Sequence, residues 1–277
     1  MDVLTVYVGQ GELVVLRHGM EGIVIDSRLP DTDDVSAEAV QTQLGLVLEG
    51  RRVPGLILTS FDSDHCDPRG VDFVLGRFEP DWIMYPKYYK DTDCASAVFD
   101  TIEKHERLRV RGARPLRRVS VRLDRVDRRL LEGLSSDFDL ELFSPHIEDM
   151  DSSNNCSIVM RVAGRGVGGF SYLVTGDTEN ARWERINSLF GTALRSDVLS
   201  APHHGSRSAT NAETLLLVDP NTVLISAGVD NQYGHPHPQA VAAFQKVAKH
   251  IHATNIEEGV SLFTKQVGDD FFTRLVR

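Results

Sequence analysis

Apolar residues recur along this chain in two rhythms, and the switches between them predict alternating strands and helices. Asp2 to Val8 and Leu13 to Arg17 alternate or run apolar on either side of Gly9-Gln10-Gly11, which predicts two strands around a glycine turn. Gly22 to Asp26 reads as a third strand. Between Ser36 and Glu49, Val40, Leu44, Val47 and Leu48 fall at helical spacing, with Asp34 or Ser36 as the cap and Gly50 as the stop. A strand starting at Leu56 follows, then a helix over Gly70 to Phe78, a strand over Asp81 to Tyr85 and a helix over Ala95 to Leu108. Farther on, strands are predicted at Leu140 to Pro145, Cys156 to Val162, Phe170 to Thr175, Asp197 to Ala201 and Thr222 to Ala227, with helices at Asn180 to Phe190, Asn211 to Val218 and Gln239 to about His250. Val260 to Thr264 and Asp270 to Leu275 close the pattern as a last pair of strands, and no internal repeat interrupts it.

Several of these apolar runs end in acids or histidines. Leu56-Ile-Leu-Thr-Ser-Phe-Asp-Ser-Asp-His-Cys-Asp-Pro68 passes abruptly from strand-like to polar. Phe170 to Thr175 leads into Gly176-Asp177, and Asp197 to Ala201 into Pro202-His203-His204-Gly205-Ser206. Thr222 to Ala227 leads on to Tyr233-Gly-His-Pro-His-Pro238. Taken alone, the first cluster reads equally as a metal loop or as a turn capping the next helix, with Asp67 or Asp64 as N-cap and Pro68 in the first helical position. Strand tips at one sheet edge are neighbours in space, and acids crowded there repel unless protons or a cation neutralise them. Asp62, Asp64, His65, Asp177 and one or both of His203 and His204 therefore become candidate ligands for one divalent ion, with room for a second. Carboxylates with imidazoles suit zinc, manganese or magnesium, and a divalent ion brings the pKa of its water from 15.7 towards ~7, so metal-assisted hydrolysis is the expected reaction class. Cys66 beside this loop is a ligand, a redox-sensitive neighbour or, most commonly for such a residue, a small buried thiol. The polar stretch from His146 to Asn155 is expected to line a site rather than a core.

Composition narrows the setting. A chain of 277 residues with 41% hydrophobic content suits one large globular domain spanning 1–277. No stretch has the form of a signal peptide or a membrane span, and three widely spaced cysteines suit a reducing compartment, so a soluble cytoplasmic protein without a membrane segment is expected. A net charge of −10 excludes a generally basic nucleic-acid binder. Yet ten arginines and only two aspartates lie between Arg107 and Arg129, a local patch that would attract phosphates, with Arg117 and Arg118 as candidate substrate contacts. The competing expectation for that segment is two strands whose arginines face solvent, since Arg109-Val-Arg111 and Val119-Ser-Val-Arg-Leu123 alternate at a period of two.

In these motifs the chain resembles the metallo-β-lactamase superfamily, and within it the soluble hydrolase domain of ComEC-type competence DNA-uptake proteins. The likeness rests on Tyr7-Val-Gly-Gln-Gly-Glu12, Ile25-Asp26, Thr59-Ser-Phe-Asp-Ser-Asp-His65, Asn155-Cys-Ser157, Thr175-Gly-Asp177, His203-His-Gly-Ser206 and Tyr233 to Pro238, and it covers most of the chain. It implies an αββα sandwich with the site at one edge. It also implies that Asp64 and His65 hold a metal with Asp177 bridging, that Asp62 and the histidine pair belong to the same site or its neighbour, and that His235 and His237 lie close by. On that basis Asp64, His65, Asp177 and His235 are the expected catalytic residues. His237 and Ser206 join Arg117 and Arg118 as expected substrate contacts, zinc or manganese in one or two ions is the expected cofactor, and DNA the expected partner. The chain departs from the family at Ser60, where a histidine ligand is usual, and at Tyr7, where an aspartate is usual. Ser60 leaves room for a catalytically weakened binding or regulatory module, the acidic balance for a hydrolase of a small phosphorylated or acyl substrate, and Asp67 stands where it could compensate as a ligand.

Overall fold

The computed structural model describes residues 1–30, 35–88, 90–109, 114–126, 128–149 and 152–277. Its first sheet is built from β1 (Asp2–Thr5), β2 (Val14–His18), β3 (Glu21–Ile25), β4 (Gly55–Ile57), β5 (Trp82–Pro86) and β6 (Arg117–Val121), and its second from β7 (Phe138–Ser144), β8 (Val159–Gly164), β9 (Ser171–Val174), β10 (Val198–Ser200), β11 (Thr222–Ile225) and β12 (His250–Ala253). The last two strands, β13 (Ser261–Val267) and β14 (Asp270–Val276), return to the first sheet. The orders are β14-β13-β1-β2-β3-β4-β5-β6 and β12-β11-β10-β9-β8-β7.

Alternation along each strand sorts side chains into layers. In β3, β4 and β5, Ile23, Ile25, Ile57, Trp82 and Met84 face a core shared with Met160, Val162, Tyr172 and Val174 of the second sheet. Val24, Leu56, Ile83 and Tyr85, between them in sequence, pack outward on α1 (Ala37–Val47), α2 (Pro68–Arg77) and α3 (Asp93–Arg109) through Val40, Leu44, Val71, Val98 and Ile102. On the other side Leu173, Leu199, Val223 and Ile225 meet α5 (Asn180–Phe190), α6 (Ala212–Val218) and α7 (Pro238–Phe244) through Trp183, Ile186, Leu215 and Phe244. The layers run helix, sheet, sheet, helix, the αββα sandwich expected from the motifs.

Within the first sheet β3 to β6 are parallel, and within the second β9 to β12 are parallel, each pair joined through a helix or a helix-containing crossover. Parallel strands joined this way bring their C-terminal tips to a common edge, which is where open α/β sheets gather ligands. Asp26, Thr59, Asp177 and His204, which follow β3, β4, β9 and β10, meet at that edge. No helix among the described residues is long and apolar enough to cross a membrane.

Two expectations need correction. The helix from Gln239 ends at Phe244, and His250–Ala253 is strand β12, paired in parallel with Thr222 to Ile225. Lys246 and Val247 form a turn after the helix, and sheet pairing takes over from His250. In the arginine-rich segment, Arg109 ends α3 instead of opening a strand, one strand, β6, follows, and α4 (Arg128–Glu132) is an unexpected short helix. Residues 110–113, part of the expected first strand, and the alternative cap Asp34 lie outside the described residues. Ser36 is the cap of α1, its side chain accepting from the Ala39 N–H.

Candidate metal centre

Beyond β4 the backbone turns into a loop that is held from β3. Asp26 sits at φ 58°, a left-handed conformation rare outside glycine, and its side chain is fully buried. Asp26 Oδ1 accepts the Thr59 N–H at 2.6 Å, while Oδ2 accepts the Thr59 hydroxyl and lies 2.7 Å from His65 Nδ1. A carboxylate can only accept, so Nδ1 donates to Asp26, and His65 Nε2, turned towards Asp177 Oδ1 2.9 Å away, donates there when it is protonated.

Asp177 leaves β9 through Gly176 at φ 49°, where an added Cβ would stand 2.8 Å from Ser157 Cβ. Its N–H donates to Ser157 Oγ at 3.1 Å. From β10 the chain enters the tight turn Pro202–Gly205, in which His203 and His204 both take left-handed φ, 48° and 56°. Such strain, of order 1–3 kcal/mol per residue, persists where the surroundings demand it and clusters at functional sites. Here the demand is visible: His204 Nδ1 lies 2.8 Å from the Ser226 carbonyl beyond β11, so it donates there and Nε2 points into the cluster. That buried Nε2 has no hydrogen-bond partner among the described residues, and its nearest carboxylate oxygens are Asp64 Oδ2 at 3.5 Å and Asp177 Oδ1 at 3.6 Å.

One ligand atom each from Asp64, His65, Asp177 and His204 lies within 4.8 Å of all the others. Two carboxylates and two imidazoles, one with an orphaned nitrogen, fit a divalent ion of the zinc or manganese type. The charges point the same way. Burial opposes the charged form of His65, yet Asp177 and Asp26 outweigh it and hold the imidazole well above its ordinary pKa. Burial likewise opposes ionisation of Asp177, but His65 and His204 overcome it and hold the carboxyl below the usual range. The cluster thus demands positive charge at its centre, supplied by protons or by a cation. Glu12, Asp26 and His65 form a second compact group. There His65 offers its proton-bearing Nδ1, and Glu12, kept above its ordinary pKa by burial and then by Asp26, accepts the Ser200 hydroxyl at 2.6 Å, so that group is a supporting hydrogen-bond network.

Asp62, expected among the ligands, lies outside the four. One of its oxygens pairs with the Lys90 ammonium and the other accepts the Ser153 hydroxyl, while its N–H donates to Ser60 Oγ at 3.2 Å. Asp67 is no compensating ligand: it caps α2, accepting the Arg69 N–H at 2.9 Å and pairing with the Arg69 guanidinium, with Pro68 in the first helical position. Of the histidine pair, His204 joins the cluster. His203 stands beside it, 22% exposed, with Nε2 3.8 Å from Asp177 Oδ2. Cys66 is a fully buried thiol whose carbonyl accepts the Cys94 S–H at 3.0 Å.

His235 is buried against the pair, its ring 5.5 Å from that of His203 and stacked on Tyr233 at 5.7 Å. Burial first, then the neighbouring His204 and His203, push its pKa down to about 4, so the ring is neutral at pH 7. His237 accepts the Arg207 N–H at 3.1 Å and precedes α7, and Ser206 bonds Ser208. Neither lines the cleft over the cluster, a cavity of about 690 Å³ bordered by Arg28, Asp62, Asp64, Lys90, Asn154, Asp177, His203, His204, Tyr233 and His235 among others. Arg117 and Arg118 are also absent from it. They lie on edge strand β6, where Arg118 pairs with Glu106. Elsewhere in the segment Arg107 pairs with Glu103, Arg122 and Arg125 with Asp124, and buried Arg109 donates to the Pro80 and Leu75 carbonyls. The solvent-facing and structural reading of these arginines accounts for them better than a substrate patch.

Sequence reasoning missed Lys90 and the part played by Ser153, since neither belongs to a motif. Ser153 does fall in the polar stretch from His146 to Asn155, whose site-lining expectation the cleft meets through Asn154.

No protein-family model matches the chain. It is 28% identical over 196 residues to ComE operon protein 3 of Bacillus subtilis, covering 71% of this chain and 23% of that protein. It is 35% identical over 232 residues to competence protein ComA of Neisseria gonorrhoeae, covering 82% of this chain and 27% of that protein. The chain thus spans about a quarter of the length of these curated relatives. Among solved structures, Igni18, a metallo hydrolase from Ignicoccus hospitalis, superposes with a TM-score of 0.52 over 96% of this chain and 100% of the other at 14% identity, a likeness of fold.

Proposed function

We propose that this chain, a homologue of ComEC-type competence proteins with the metallo-β-lactamase-like αββα fold, is a metal-dependent phosphodiesterase acting on DNA. The convergence of Asp64, His65, Asp177 and His204 at one sheet edge, with the His204 nitrogen unpartnered, supports this reading most. A divalent ion bound there supplies a Lewis acid and a water whose pKa is lowered towards ~7. The protein's own residues orient and neutralise. Asp26 fixes the His65 ring and its tautomer. Ser226 does the same for His204 through its carbonyl. Neutral His235, lining the same cleft, is placed to exchange a proton with a substrate oxygen. Arg28 and Lys90 bring positive charge to a phosphate, and exposed Tyr233 offers a face on which a base can stack. DNA is favoured over small substrates by the competence relatives.

Purified protein supplied with Mn²⁺ or Zn²⁺ is expected to cleave single- or double-stranded DNA, and Asp64→Ala and Asp177→Ala to abolish cleavage. Turnover that survives both substitutions would refute the site. A second reading, a metal-binding regulatory module without turnover, draws on Ser60 and on the engagement of Asp62 by Lys90 and Ser153. Metal bound stoichiometrically by a wild-type protein that leaves DNA intact would favour it. Cleavage of small phosphodiesters or esters with DNA untouched would favour a small-substrate hydrolase.

A further inference from the structure

We infer that Lys90 is a built-in cation of the reaction site: its ammonium takes the place at Asp62 that a second metal ion would need, so that the site holds one ion and Lys90 faces the substrate anion beside it. Asp62 follows β4 two residues before Asp64 and lines the same cleft, so it is the natural ligand for a neighbouring ion. Both of its carboxylate oxygens are already engaged. Lys90 occupies Oδ1, Ser153 donates to Oδ2, and the backbone N–H is tied to Ser60 Oγ, the hydroxyl standing where an imidazole ligand would be usual. The side chains of Lys90 and Asp62 are 26% and 19% exposed, so the ammonium remains reachable from the cleft that Asp64, Asp177 and His204 also border. An ammonium has three donors. One is given to Asp62, and the others have no partner among the described residues, so they can meet a substrate oxygen without displacing a metal ligand. The identity of that oxygen as phosphate rests on the phosphodiesterase reading.

The test counts ions and measures anion binding. Titration of Mn²⁺ into the full chain is expected to give one ion in the wild type and one in Asp62→Asn, with affinities within about threefold because Asp62 is not a ligand. Inorganic phosphate binding to the Mn²⁺-loaded protein is expected to weaken about tenfold in Lys90→Gln, the loss expected from removing one charged hydrogen bond, and to be largely kept in Lys90→Arg. Two ions in the wild type, one of them lost in Asp62→Asn, would overturn the inference, as would equal phosphate affinity in the wild type and Lys90→Gln. Failure of the wild type to cut DNA would instead refute the phosphodiesterase reading, leaving ion count and phosphate binding to decide the role of Lys90.

Discussion

Asp26 touches no proposed substrate position, yet it fixes the imidazole that does the most in the cluster. It accepts from the Thr59 N–H, the Thr59 hydroxyl and His65 Nδ1 at once, from a strained left-handed backbone. Substitution Asp26→Asn keeps the shape but replaces one acceptor oxygen by a donor, so His65 loses its fixed tautomer. We expect metal affinity to fall by about 10–100-fold, as for other partners of ligating histidines, with the fold retained by circular dichroism; titration with Mn²⁺ would check it. At this scale the sequence was informative about residue type and poor about roles. Acids and histidines at strand tips pointed to Asp64, His65, Asp177 and the histidine pair because metal chemistry needs those groups. The diversion of Asp62 to Lys90 was invisible, because a lysine 28 positions away has no periodicity or spacing to betray it.

Helix α2 illustrates how one loop serves two ends. The residues that follow the cluster start the helix, with Asp67 as cap and Pro68 at N1, so metal loop and helix cap are consecutive functions of a single stretch. The capping reading of Leu56 to Pro68 thus falls on Asp67, and the proposed metal-loop reading on Asp64 and His65. Asp67→Ala is expected to lower stability by about 1 kcal/mol, the usual value of such a cap, in urea denaturation, while the number of metal ions bound stays unchanged. Elements with a clean period of two or 3.6 were legible: β3, β4, α1, α2 and α5 lie within a few residues of expectation. Strand β12 was not, because His250-Ile-His-Ala253 carries a weak pattern and is fixed by parallel pairing with β11. Arg109 was misplaced for a related reason: alternation with Val110 looks like a strand, but its guanidinium satisfies two carbonyls from the end of α3.

For the whole molecule, the essential feature is that the site's residues come from both sheets, so anything that ties the sheets together positions it. At the far side of the sandwich Glu21 of β3 accepts from the Ser135 and Ser136 hydroxyls and from the Asp137 N–H before β7, and pairs with Arg52. Burial raises the pKa of this carboxyl, but those hydrogen bonds and Arg52 outweigh it and hold it below its ordinary 4.5. A carboxyl depressed by folding contributes stability that is fully present above its unfolded value and is lost as pH falls through the folded one. Urea unfolding at pH 7 is expected to show Glu21→Gln less stable than the wild type by about 1–3 kcal/mol, with the gap closing as pH is lowered below 4.5. A gap that stays constant down to pH 3 would show that the charge of Glu21 contributes nothing.

The layers of the sandwich were legible from alternation and from the motifs together, whereas the partners across the two sheets were not, since no spacing along the chain encodes them. The proposed metal centre is the point at which those partners matter most, because Asp64 and His65 follow a strand of one sheet and Asp177 and His204 follow strands of the other. Calorimetric titration of Mn²⁺ or Zn²⁺ into the wild type and Asp177→Asn tests it most directly. Stoichiometric binding by the wild type that is lost or greatly weakened in the variant is predicted, and equal binding by both proteins, or none by the wild type, would contradict the account.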